Sequence, residues 1–139
     1  MTDALVAFLK ARFTDEESAA IAAHGPFSGD LGRRWWTPEE FKTALCHDQI
    51  HMSDAVYMAH HAPARTLREV EAKRGLLDEH RPDEAGGCTT CAQPEDFDDD
   101  ADGNRTFSRI PKSWPCPTVK LLALPYSDHP GYEEALTGG

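Results

Sequence analysis

Basic side chains are scarce in this sequence. Fourteen Lys and Arg stand against 24 Asp and Glu over 139 residues, a formal charge of −10 with histidine neutral. Phosphate binding is driven by Lys and Arg displacing counterions. The deficit therefore argues against general nucleic-acid binding and leaves open a local basic patch, or an acidic surface imitating DNA toward a DNA-binding partner. Long apolar runs are missing too. The opening stretch, MTDALVAFLKARF, is too short and too charged for a signal peptide or a membrane span. That predicts a cytosolic protein with no membrane association. Clear two-residue alternation is absent, so nothing demands a sheet, and no internal repeat is visible. Cysteine is used only four times. Cytosolic thiols stay reduced, so the CxxC of Cys88 and Cys91 reads as a metal or redox site before it reads as a disulfide.

What is present is mostly helical. Thr2 and Asp3 can cap a first helix in which Leu5, Leu9 and Phe13 recur every four residues, running on toward His24. Thr14 with Glu17 offers a second capping box and a possible break. Gly25-Pro26 ends the segment, and the loop that follows carries Trp35 and Trp36, placed to pack against helices. TPEE at 37–40 starts a second helix with Phe41 and Leu45 inside, and Cys46 reads as a small apolar residue on it. Ser53-Asp54 starts a short helix. APARTLREVEAKRGLLDEH is the clearest helix of all, with Leu67, Val70, Arg74 and Leu77 on one face and Glu69 and Lys73 as a surface pair. It should end near His80, because Pro82 cannot continue it. Residues 83–113 are poor in apolar side chains and read as loop. Order returns at Pro115–Leu124, and DHPGYEEAL makes a last short helix.

Zinc takes four thiolate or imidazole ligands in a tetrahedron, and Cx2C places two thiolates on one tight turn. Cys116 begins the last ordered segment, where a helix N-terminus stabilises a thiolate. His80 ends the long helix. A His80–Cys88–Cys91–Cys116 site would tie helix, loop and C-terminal segment together, with His129 the rival for the fourth position. The intervening region is too poor in apolar residues to hold itself, which is the physical reason for a metal there. Iron satisfies the same ligand types. A thioredoxin-type pair is disfavoured, since no strand precedes the motif and no helix starts on it.

Two other motifs bear on function. HDQIH at 47–51 is an HDxxH, which on one helix would pair His47 and His51 as in zinc hydrolases, with Asp48 as base and His60 or His61 as third ligand. Against it stands a polar helix end with solvated histidines. DDDADGNRTFSR at 98–109 puts Asp98, Asp100 and Asp102 at calcium-loop positions and Gly103 at the turn. Arg109 occupies the place of the bidentate Glu, so a solvated acidic loop is the better reading.

The blocks APARTLREVEAKRGLLDEH, CxxC and WPCPTVKLLALPYSDHPGYEE, with ALVAFLKARFTDEESAA and WTPEEF before them, resemble a family of short uncharacterised proteins. Its members occur in high-GC Gram-positive bacteria and their phages. The resemblance covers most of the chain, and CPTVKLLALPYSDHP is its most specific part. It implies a phage or prophage setting and no particular activity. It also implies that His80, Cys88, Cys91 and Cys116 belong together as a set. Ala62 departs from the pattern, which often has Asp before this Pro. The histidines from His47 to His61 and the DxDxDG loop lie outside it.

The expected fold is mainly α: a single small domain over 1–139 of four to five helices, helical through residue 80. A zinc-stabilised loop or knuckle and a C-terminal helical segment fill 81–139. The expected function is a non-enzymatic zinc-binding module that binds a host or phage protein. The helix face of Arg65, Arg68, Glu69, Lys73 and Arg74 is one docking surface, unless it is only solvated. The alternatives are a metal-dependent hydrolase built on His47, Asp48 and His51, and a nucleic-acid-associated zinc protein using Asn104-Arg105 and Arg109–Lys112.

Overall fold

The computed structural model describes residues 3–23, 39, 43, 51–93, 97–107 and 109–138; for 23, 97, 98, 106 and 107 only the backbone is described. In chain order the helices are α1 (Ala4–Ala23), α2 (Met52–His60), α3 (Pro63–Glu79), α4 (Pro117–Ala123) and α5 (Tyr132–Thr137), with a 3-10 turn at Leu124–Tyr126. Four short strands, β1 (Gly87–Ala92), β2 (Phe97–Asp99), β3 (Arg105–Phe107) and β4 (Pro111–Ser113), lie between α3 and α4. The protein is mainly helical, as its periodicity predicts. The chain divides into two compact units, one of residues 2 and 7–74, the other of residues 1, 3–6 and 75–139.

In the first unit, Leu9 and Phe13 of α1 are fully buried, as four-residue spacing requires. No helix break occurs at Thr14. Its hydroxyl donates back to the Lys10 carbonyl at 2.9 Å, so the capping box does not form. Glu17 turns instead to Arg74, accepting two hydrogen bonds of 3.0 and 2.7 Å from the guanidinium. That pairing, opposed by burial, holds the Glu17 carboxyl below its ordinary range. Lys73 reaches Glu16 at 2.7 Å, and Glu69 accepts from Arg65 at 2.6 Å. Much of the charged face read from α3 is thus committed to ion pairs. α2 buries only Ala55 and Ala59 and leaves Met52, Val56, Tyr57 and Met58 exposed. Thr43 donates to the Glu39 carbonyl at 2.9 Å and both are helical, matching the expected TPEE helix. The rest of that helix, Trp35, Trp36 and Cys46 lie outside the described residues.

In the second unit the buried side chains are Leu5, Leu77, Cys88, Cys116, Val119, Ala123, Tyr132 and Ala135. Asp3 caps α1, its Oδ1 accepting the Leu5 and Val6 backbone N–H groups at 2.8 and 3.3 Å. Its other oxygen accepts the Trp114 indole N–H.

The loop expected over 83–113 is instead two nested antiparallel ladders. β1 pairs with β4, Gly87 opposite Ser113 and Ala92 opposite Pro111, with an irregularity between. Inside that pair, β2 and β3 form a hairpin with Asp98 opposite Thr106. The DxDxDG sequence runs from the end of β2 into the turn of this hairpin, residues 100–104. Asp100 Oδ1 accepts the Asp102 and Asn104 N–H groups at 3.0 and 2.9 Å, and Gly103 takes φ +78°. The Asn104 N–H, helped by those of Asp102 and Gly103 and opposed by burial, holds the Asp100 carboxyl below the ordinary aspartate range. A depressed native pKa means stability present above the unfolded value and lost as pH falls through the native one. An NMR titration should show the Asp102 and Asn104 amides losing protection as Asp100 protonates, and that pH dependence should vanish in Asp100→Asn.

Candidate metal centre

α3 ends at Glu79, with the His80 N–H still bonded to the Leu76 carbonyl at 3.1 Å. Its exposed C-terminal carbonyl is capped by the strand that carries the CxxC. Both the Thr89 hydroxyl, at 2.9 Å, and the Thr90 hydroxyl donate to the Glu79 carbonyl. The Thr89 N–H donates to the Arg81 carbonyl at 2.9 Å, and Pro82 bridges to Cys88. The capping of one helix therefore brings Cys88 and Cys91 to His80.

The approach to Cys88 is a tight turn built on Asp83. Asp83 Oδ1 accepts the Ala85 and Gly87 N–H groups at 2.9 and 2.7 Å, and the Asp83 N–H donates to the Gly87 carbonyl at 2.7 Å. Gly86 takes φ +81°, which a Cβ would strain. Gly87 is glycine for a different reason: a Cβ there would stand 2.7 Å from Pro111 Cβ and 2.8 Å from Asp83 Oδ2. The Gly86 carbonyl accepts the Trp114 N–H at 2.9 Å. That bond delivers Cys116, which caps α4 in extended conformation with Pro117 as the first helical residue.

These contacts gather four donors. His80 Nδ1 lies 3.6 Å from Cys88 Sγ, 3.4 Å from Cys91 Sγ and 3.7 Å from Cys116 Sγ. All four donor atoms fall within 4.8 Å of one another, an arrangement that can hold a metal ion. Cys88 and Cys116 are fully buried, while Cys91 and His80 are half-buried. All three cysteines are free thiols. Thr118 Oγ1 lies 3.7 Å from Cys91 Sγ, an addition the sequence does not signal.

The pocket sets its thiols against one another. Burial pushes the Cys88 thiol up, but the Cys91 and Thr90 backbone N–H groups, then His80 and Cys116, outweigh it and bring the value down to about 7. Burial pushes the Cys116 thiol up, and its sulfur neighbours Cys88 and Cys91 add to that. The Val119 backbone N–H works the other way. A metal must therefore displace protons to gather its thiolates. Binding should release protons and tighten as pH rises. Calorimetry of metal uptake near neutral pH, in two buffers of different ionisation enthalpy, will read the proton count. A heat independent of buffer would contradict thiolate ligation.

His129 does not join the group; its Nδ1 accepts the Gly131 N–H at 3.1 Å. His51 is exposed, with an extended backbone ahead of α2. His60 and His61 are exposed too, the latter 4.4 Å from the Tyr57 ring. His47, Asp48 and the Asp98 side chain lie outside the described residues, among which the His80 cluster is the one such group found. No helix among the described residues is long and apolar enough to cross a membrane.

A family model described as a family of unknown function, DUF6221, matches residues 2–137 and so takes in both units and the whole cluster. No curated protein and no solved structure matches the chain.

Proposed function

The chain belongs to the DUF6221 family, a family of unknown function, and from that premise we propose that it is a non-enzymatic zinc-stapled interaction module. The observation that carries this reading is the spacing of the donors. A tetrahedral zinc about 2.3 Å from sulfur and about 2.0–2.1 Å from nitrogen sets N···S edges of about 3.6 Å. The three edges from His80 are 3.6, 3.4 and 3.7 Å. Four protein ligands close the shell and leave no position for a substrate or an activated water, as in structural rather than catalytic zinc sites. The surrounding strands are short, three residues long in three of four cases. The metal supplies the cross-link they lack. By the family resemblance, its setting is the cytoplasm of a bacterial host or its phage, and its partner is a protein of one or the other.

Metal analysis of protein purified without added metal tests the proposal, paired with a Cys88→Ser/Cys91→Ser variant. About one zinc per chain, lost in the variant together with thermal stability, is the expected result. Iron in its place would keep the staple and change the ion. Zinc surviving in the variant would move the metal to His47 and His51 and favour a hydrolase. Absence of any metal would overturn the site.

A further inference from the structure

The negative charge of this protein is not spread along the chain. The unit holding the metal cluster carries five Lys and Arg against 14 Asp and Glu, a formal −9. The other unit carries nine against ten, a formal −1. Three thiolates around a divalent ion would add one further negative charge. On this same unit α4, the 3-10 turn and α5 flank an open, mostly apolar groove of about 410 Å³, lined by Lys120, Leu121, Leu124, Tyr132 and Leu136. Leu121 is 67% exposed and Leu124 54% exposed, more than a solvated helix of this length needs. Glu133 and Glu134, exposed in the first turn of α5, follow Tyr132 directly, and exposed Asp128 lies in the connection before it. Lys120 is the one cation of the lining.

We propose that this groove docks a basic amphipathic helix of a partner protein, its apolar stripe on Leu121, Leu124, Tyr132 and Leu136 and its Lys or Arg residues toward the acidic surround. Charge complementarity selects that occupant. A second copy of the chain would bring another −10 against the first, and an acidic helix would be repelled likewise. An apolar stripe laid in a groove is a common mode of helix recognition. The metal belongs to the mechanism, because Cys116 caps the helix that presents Leu121. This inference rests on the interaction-module reading and names its surface and partner chemistry.

The test uses the full-length, metal-loaded protein and two synthetic helices of one apolar pattern, one Lys/Leu and one Glu/Leu, followed by fluorescence anisotropy. The Lys/Leu helix should bind, more weakly as salt rises, and the Glu/Leu helix should not. Leu121→Asp/Leu124→Asp should weaken binding by about a hundredfold, roughly tenfold for each apolar side chain lost, with metal content unchanged. Lys120→Glu should tighten it by about threefold. Equal binding of both helices, indifference to the leucine substitutions, or a dimer that those substitutions dissolve would overturn the proposal. Metal analysis of the same samples separates this failure from that of the zinc site: a metal-free protein that still binds through Leu121 and Leu124 refutes the staple and keeps the groove.

Discussion

If the proposed zinc site is right, Cys116→Ser will cost the protein that metal and the packing of the strands and helices around it. Structural zinc binding in small modules is worth about 10–16 kcal/mol, or about 3 kcal/mol for each of four ligands. Losing one thiolate should then weaken metal affinity by more than about a hundredfold. Cys116 is an apt place to make the cut, because its side chain is fully buried and its backbone caps α4. Serine preserves the cap, its hydroxyl being a better helix cap than a thiol, so any loss of order belongs to the metal. Near-ultraviolet circular dichroism of Trp114 should collapse in the variant, and a chelator should do the same to the wild type. Retained dichroism in both would mean that hydrogen bonds alone hold the unit.

Gly87→Ala should do comparable damage without touching a ligand. The new methyl group would press on Pro111 Cβ at 2.7 Å and on Asp83 Oδ2 at 2.8 Å. Asp83 cannot withdraw, since its Oδ1 already accepts the Gly87 and Ala85 N–H groups. Pro111 sits in β4, opposite the end of β1. Overpacking of this kind costs about 1–3 kcal/mol. Here it also displaces the turn leading into Cys88, so metal affinity should fall with stability. Gly86→Ala is the control. Its methyl group meets nothing within 4 Å, and the φ of +81° leaves only a left-handed backbone penalty of about 1 kcal/mol. Thermal melts of the two variants should rank Gly87→Ala well below Gly86→Ala. The reverse order would show that the strand pairing yields more easily than the turn.

Much of this was legible from residue types and spacing. Leu5, Leu9 and Phe13 repeat every four residues and are all buried. His80 closes a helix that Pro82 cannot extend, and it meets the three cysteines proposed with it. The strands were not legible, for physical reasons. β2 is Phe-Asp-Asp, and Asp is disfavoured in strands. β2, β3 and β4 span three residues each, too few for alternation to register. They are specified by turn chemistry at Asp83 and Asp100, whose carboxylates replace missing backbone partners. The Thr14–Glu17 pattern misled because a threonine inside a helix can bond backward as well as cap forward. The charge partition was present in the sequence all along, but only the division of the chain into units gives it meaning.

Asp3 has a consequence for how the protein is made. One of its carboxylate oxygens starts α1 and the other holds the indole of Trp114. The unit that surrounds the cysteines thus draws on residues 3–6 as well as on residues 75 onward. Residues 7–74, which belong to the other unit, are made between these two parts. Domains generally fold in order of synthesis, yet in this unit Asp3 must wait for Trp114 to be made before its second contact can form. A change at Asp3 therefore reaches, through the Trp114 indole, the segment that carries Cys116.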